Sequence, residues 1–466
     1  MVQDKPTPSR SAAGAALGAW GRTIASVRRW FEDGLLRRIF KNAGLLLSGK
    51  TLAGLFGLGY LALTARALGP EIFGILVLIH TYVQVAGGIT KFQSWQAVIR
   101  YGAECVEQKR REDFQRLIKF TTLLDLGGAL LGAIAAAALA PLVGPWLGWS
   151  EETVTLAMIY SLLILFGITA TPTGILRLFD RFDLLAVQAA IAPGLRLVGA
   201  IVAYLAGAGL WAFLLVWLIS GAVGGLVLLA MGWRELERQG MTAGMGLSLR
   251  GLTKPHAGLW RFVWLTNFHT SLGLVTGHLT TLTVGLMLGP SAAGLFRIAK
   301  EFASVVAKPA GLLTRAIYPE LAKLATKESG RDIGRLVLRS GVIAGGGAAL
   351  ILVAVIVVGE PVLRLVFGEM FLESYAVLLL LVIATTVNVC GFALDPTMYA
   401  LGRPDIPFRV NILITLLYFP LLLYLLAQLE LVGAGFAAIA SASVTFTVMA
   451  ATAARLLSRD RLAPAE

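Results

Sequence analysis

Apolar residues run along this chain in blocks of about twenty, each closed by a short polar or charged stretch. A helix that crosses a bilayer needs about 20 mostly apolar residues. The pattern predicts twelve such spans, at 43–67, 72–96, 118–143, 152–175, 187–207, 209–231, 260–287, 291–315, 339–359, 374–400, 409–428 and 431–456. The expected fold class is all-α, a polytopic membrane protein. The first long apolar run starts well inside the chain, and no short apolar core before it ends in a cleavage-like site. No cleavable signal is therefore expected, and the first helix should stay.

Composition agrees. Of 466 residues, 57 % are hydrophobic and only 14 % charged, with a mean hydropathy of +0.77. A soluble domain carries about 25 % charged residues, so an ordinary cytosolic enzyme, a disordered chain and a collagen-like repeat are excluded. Two cysteines, Cys105 and Cys390, leave no room for a disulfide scaffold, a four-cysteine metal site or an iron–sulfur cluster. No metal site and no cofactor are expected. What remains to be explained is a net charge of +13 on so apolar a chain.

Most of that excess falls on alternate connections. Lys and Arg cluster before the first span (Arg28, Arg29, Arg37, Arg38, Lys41) and after the second (Arg100, Lys109, Arg110, Arg111, Arg116). They recur after the fourth (Arg177, Arg181), the sixth (Arg234, Arg238, Arg250, Lys254), the eighth (Lys323, Lys327, Arg331, Arg335) and the tenth (Arg403), and in the tail (Arg455, Arg459, Arg461). The other connections hold only Arg66 and Arg364 beside acids such as Glu71, Glu151, Glu152, Glu360 and Glu430. By the positive-inside rule the even connections and both termini are expected in the cytoplasm. The basic pI is therefore mostly topogenic, and no nucleic-acid partner is expected. Within the tail, Trp20, Ile24, Val27, Phe31 and Leu35 recur at helical spacing. They predict an interfacial helix on the inner leaflet, with a loose, charge-held tail as the alternative.

The chain also repeats itself. Leu68-Gly69-Pro70 recurs as Leu288-Gly289-Pro290, an offset of 220, shared by Gly57 and Gly277, Gly74 and Gly294, and Pro141 and Pro361. Later matches drift, to 222 for Arg181 and Arg403 and to 226 for Gly207 and Gly433. A slowly growing offset reads as duplication of a six-helix unit. Six is even, so the copies have the same orientation: two six-helix lobes related by a parallel pseudo-two-fold repeat, with the substrate site between them. The expected organisation is a cytoplasmic tail at 1–42, an N-lobe at 43–231, a cytoplasmic linker at 232–259, a C-lobe at 260–456 and a short cytoplasmic tail at 457–466.

The first hairpin, Leu68-Gly69-Pro70-Glu71-Ile72-Phe73-Gly74, followed by Gln84 and by Gln93-Ser94-Trp95-Gln96, resembles that of bacterial polysaccharide and O-antigen flippases, as does the Leu401-Gly402-Arg403 turn. Those proteins belong to the multidrug/oligosaccharidyl-lipid/polysaccharide exporter superfamily. The resemblance extends over the chain in length, span number and repeat. It implies a two-lobed bacterial inner-membrane transporter, not an enzyme. Such a protein moves an undecaprenyl-diphosphate-linked oligosaccharide to the outer leaflet, for lipopolysaccharide or exopolysaccharide export. Membrane lipids, and the polysaccharide polymerase and chain-length machinery, would be its partners.

Ionisable groups within membrane helices are costly and usually face a cavity or a partner. In the eighth span Arg297, Glu301, Lys308 and Arg315 fall within about 40° of one another, with Lys300 to one side. In the second span His80, Gln84 and Lys91 share a face in the same way, and His80 is the repeat counterpart of Lys300. Asn267 and His278 share a face of the seventh span, and Arg196 lies near mid-depth of the fifth. These residues, with Lys50, form a candidate cationic and polar cavity for a diphosphate and sugar hydroxyls. Lys50, Lys91 and Arg315 could equally snorkel to the cytoplasmic interface, and His278 could be a packing histidine. Glu301, Asp125 and Asp395 are candidates for proton or ion coupling. Asp125 could instead pair locally with Lys119, and Asp395-Pro396 could serve a break in the tenth span. No Gly-x-x-x-x-Gly-Lys-[Ser/Thr] motif is present, which disfavours ATP as the driving force. A peptidoglycan-precursor flippase would have a similar cavity. A multidrug or cation antiporter would want more carboxylates. A membrane polymerase or glycosyltransferase would want a catalytic loop larger than any here.

Overall fold

The computed structural model describes residues 34–246, 248–256, 258–326, 330–403 and 405–459; some side chains within these, Arg315 among them, are not described. The expected interfacial helix at 20–35 falls almost entirely outside the described residues. Among those described there is no strand. In chain order the helices are α1 (Gly34–Thr90), α2 (Trp95–Glu107), α3 (Arg111–Val143), α4 (Glu151–Tyr160), α5 (Ala170–Leu178), α6 (Phe182–Leu205) and α7 (Leu210–Arg238). They continue as α8 (Leu259–Thr326), α9 (Gly330–Phe367), α10 (Ser374–Cys390), α11 (Leu394–Ala400) and α12 (Asp405–Arg459). Nine apolar helical stretches among the described residues are long enough to cross a membrane. Large side chains such as Leu205, Leu338, Ile343 and Leu350 stand exposed on the outside, where lipid rather than water would cover them.

Three of the long helices double back. In α1 the helical dihedrals fail at Gly69 (φ 72°, ψ 172°), ahead of Pro70, which cannot continue the hydrogen-bond ladder. Tyr60 and His80 then both reach the ring of Trp217, at 5.5 and 5.0 Å between centroids, although twenty residues of straight helix would span about 30 Å. In α8 the failure is at Gly289 (φ 86°, ψ 178°), and Lys300 Nζ reaches back to the carbonyl of Gly277. In α12 it is at Glu430 (φ 50°, ψ −138°), a conformation costly for a side chain with a Cβ. Each of the three is thus two helices joined at a sharp turn.

The two Leu-Gly-Pro reversals pack on each other. A Cβ built on Gly74 would lie 1.8 Å from the carbonyl oxygen of Pro290, and one on Gly294 would lie 2.9 Å from that of Pro70. No side chain fits between these backbones, which explains why glycine follows each turn at the same spacing.

Other breaks fall inside expected spans. The second span was expected to run to 96, but α1 stops at Thr90, and Lys91–Ser94 form a short break before α2. The fourth passes from α4 through a 3-10 segment (Ser161–Gly167) to a break at Ile168 and Thr169 before α5. The tenth is interrupted between α10 and α11, close to Asp395-Pro396, as the sequence suggested. α1 packs on α6 and α8, and this contact, with the breaks at 91–94 and 168–169, frames the candidate site.

Candidate functional site

A cavity of about 380 Å³ opens among the second half of α1, α3, the 3-10 segment, α6, α7 and one residue of α8. Gln84, Lys91, Asp125, Arg196 and His278, all singled out from the sequence, line it together. Four separate parts of the chain, around 84–91, 125, 196 and 278, thus bring their rare polar groups to one space.

Arg196 is held rigidly. Its Nε donates to Ser220 Oγ at 3.0 Å, and its guanidinium lies 5.2 Å from the centroid of Trp217 and 5.6 Å from that of Tyr60. Nη1 also donates to Tyr60 Oη at 3.5 Å, and the aromatic contacts leave the remaining edge donors of the guanidinium for an anion. His80 adjoins this group: Nδ1 pairs with Tyr160 Oη at 2.8 Å, Nε2 lies 3.4 Å from Gln84 Nε2, and the ring meets Trp217 edge-on at 5.0 Å.

Lys91 and Asp125 serve the broken backbone. Asp125 accepts from Ser94 Oγ at 2.5 Å, and from both the backbone N–H and the hydroxyl of Thr171 at 2.8 Å. Thr171 lies in the first turn of α5, where N–H groups have no intrahelical partner. The carboxylate caps that helix from another part of the chain. Lys91 Nζ donates to Thr169 Oγ1 at 2.7 Å, on the other side of the same break. The alternative pairing of Asp125 with Lys119 is corrected: Lys119 donates to the carbonyls of Gly246 and Ser248.

The basic stripe of α8 adjoins the cavity through His278. Lys300 Nζ donates to the carbonyl of Gly277, the residue before His278. Arg297 is ion-paired to Glu301 at 3.2 Å, which gives the acid of the stripe a partner. The remaining candidates do not line the cavity. Lys50 is exposed. Lys308 is exposed, with Nζ 3.3 Å from where a Cβ on Gly54 would lie. Asn267 is buried, and Asp395 is exposed beside the break before α11. The side chain of Arg315 lies outside those described.

Sequence reasoning missed Tyr60, Tyr160, Trp217 and Ser220, which fix Arg196 and His80. In an apolar span an aromatic reads as core, and nothing in its spacing marks it as a partner for a charge. Thr169 and Thr171 were missed because the break between them and the 3-10 segment was not foreseen.

A family model described as polysaccharide biosynthesis protein matches residues 39–325. The chain belongs to that family. It is 36 % identical over 350 residues to Inner membrane protein YghQ of Escherichia coli K12, covering 75 % of this chain and 98 % of that one. It is also 28 % identical over 160 residues to Lipopolysaccharide biosynthesis protein WzxC of the same organism, covering 34 % of this chain and 32 % of that one. Two solved structures share its fold. The lipid II flippase MurJ in its inward closed conformation superposes with a TM-score of 0.67 at 14 % identity, over 88 % of this chain and 87 % of that chain. An inward-facing multidrug-resistance MATE transporter of the MOP superfamily gives 0.64 at 15 % identity, over 90 % of this chain and 95 % of that chain. The polysaccharide biosynthesis family, as represented here, therefore has the fold of MOP-superfamily transporters, and the resemblance read from Leu68–Gly74 holds.

Proposed function

We propose that this chain is an inner-membrane flippase. It carries an undecaprenyl-diphosphate-linked oligosaccharide from the cytoplasmic to the outer leaflet by alternating access of two lobes, 43–231 and 260–456. Twelve passes, cytoplasmic termini and a cytoplasmic linker at 232–259 belong to the same reading. The family match, the lipopolysaccharide biosynthesis name of one relative, and a fold shared with a flippase and a transporter support it.

One observation carries the substrate class. Asp125 is the one acid of the cavity lining, against Lys91 and Arg196, and Glu301 is already ion-paired to Arg297. Arg196 on its aromatic platform and Lys300 nearby leave the site net positive. Guanidinium and ammonium groups bind phosphate oxygens through charge-assisted hydrogen bonds. Carrying a diphosphate unaided through hydrocarbon would cost tens of kcal/mol; a cationic cavity removes most of that while the lipid tail stays in the bilayer. A drug-cation antiporter would need unpaired carboxylates instead. A peptidoglycan-precursor flippase shares this chemistry and differs only in the glycan.

Deletion in the native cell, followed by analysis of lipid-linked glycans, tests the reading. Accumulation of a complete oligosaccharide unit facing the cytoplasm is expected. Single units accumulating on the outer face would indicate a polymerase and overturn it.

A further inference from the structure

A second cavity, of about 300 Å³, lies among α8, α10 and α12. Its polar lining comes from Thr280, Thr385, Asn388, Thr415, Ser441 and Thr445, with Tyr418 beside Thr280 at 3.4 Å. The lining holds no Asp, Glu, Lys, Arg or His. It is thus neutral where the first cavity is charged, and nothing in the sequence pattern of ionisable residues pointed to it.

We infer that this neutral cavity is the subsite for the sugar hydroxyls of the glycan, while the cationic cavity takes the diphosphate. The inference rests on the flippase reading. Three observations carry it. Hydroxyls and amides on three membrane helices, facing one space of small-molecule size, would be unfavourable against lipid. The hydroxyls are oriented: Thr385 Oγ1 donates to the carbonyl of Leu381 and Thr445 Oγ1 to that of Ser441, each at 2.8 Å. Their protons are engaged by their own helices, so their oxygens face the cavity as acceptors, with the Asn388 amide as a donor. Acceptors without charge suit O–H and N–H donors of a neutral sugar. A divalent or tightly held cation would call for carboxylates, and an anion for bases.

Third, the two cavities approach each other on one turn of α8. Gly277 lines the neutral one and the next residue, His278, lines the charged one. Lys300 holds the Gly277 carbonyl at that turn. A ligand with an anionic part joined directly to a hydroxyl-bearing part matches two adjoining cavities of these characters.

The test uses the full-length protein in nanodiscs with two probes, undecaprenyl diphosphate and undecaprenyl-diphosphate-N-acetylglucosamine, and reads Kd by native mass spectrometry. The sugar should tighten binding to the wild type by about tenfold, the worth of one or two neutral hydrogen bonds. Thr385→Val with Thr445→Val, and separately Asn388→Leu, should erase most of that margin. Both variants should leave bare undecaprenyl diphosphate binding unchanged, which also shows that they fold. A wild type indifferent to the sugar, or variants that weaken both probes equally, would overturn the subsite. So would an intact sugar margin together with loss of a sodium-dependent rise in Tm, which would assign the cavity to a cation. Wild type that fails to bind the bare lipid overturns the flippase reading itself, and the subsite with it.

Discussion

Asp125 and Thr171 are joined twice: one carboxylate oxygen takes both the backbone N–H and the hydroxyl of Thr171, each at 2.8 Å. Forty-six residues separate them in the chain. Their contact turns a buried acid, which on sequence grounds looked like a coupling group, into the cap of a helix that begins at a break inside an apolar stretch.

Replacing Asp125 by Ala should therefore act first on stability. It leaves an N–H and two hydroxyls without their acceptor, at a cost of about 1–3 kcal/mol. Thermal unfolding in detergent should show a lowered Tm, with Asp125→Asn, which keeps one acceptor, falling between. A Tm equal to wild type, with transport uncoupled from the ion gradient, would restore the coupling role.

Arg196→Lys should be nearly as damaging as Arg196→Ala. An ammonium loses the stacking on Trp217 and Tyr60 and cannot present a planar fork to phosphate. Lipid-linked oligosaccharide should accumulate in cells carrying either variant, with the protein still in the membrane. Normal export in the Lys variant would show that charge alone suffices.

Glu301→Gln should tighten binding of undecaprenyl diphosphate. Neutralising the partner of Arg297, 3.2 Å away, leaves that guanidinium with its charge uncompensated beside His278. The expected gain is several-fold, about 1 kcal/mol for a partly exposed pair, with slower turnover because release is hindered. Equal or weaker binding, measured by titration in nanodiscs, would separate this ion pair from the substrate site.

Gly74→Val should force the two reversals apart, because even a Cβ would lie 1.8 Å from the Pro290 oxygen. A lowered Tm is expected, and a single cysteine introduced at Phe73, buried in the wild-type contact, should label faster with a maleimide. Unchanged labelling in a background free of Cys105 and Cys390 would mean that the turns do not close this face.

Gln115→Ala should loosen the connection between α7 and α8. Gln115 Nε2 donates to the carbonyls of Met241 and Ala243, at 2.7 and 3.0 Å. Arg111 and Lys119, one turn to either side, donate to Ala243 and Gly246. Limited trypsin digestion should cut after Arg250 more rapidly than in the wild type. The same rate would show that Arg111 and Lys119 suffice to hold the segment.

The sequence by itself determined the all-α membrane class, the apolar stretches and the two reversals at Gly69 and Gly289. Each rests on a local cause. About twenty apolar residues match a bilayer, Pro ends a helix and Gly permits the turn. It also marked Arg196, Lys91, Gln84 and His278, because an ionisable or amide group in an apolar run is costly unless it has a purpose. Only the tertiary structure decided what those groups meet. That Asp125 caps α5, that Trp217 and Tyr60 hold Arg196, and that Glu301 is taken by Arg297 depend on which helices pack together. So does the neutral cavity of Thr385, Asn388 and Thr445, since isolated hydroxyls on three apolar helices carry no signal until packing brings them to one space. The third reversal, at Glu430, was legible only as a connection, because its residue lacks the glycine that would have announced a positive φ.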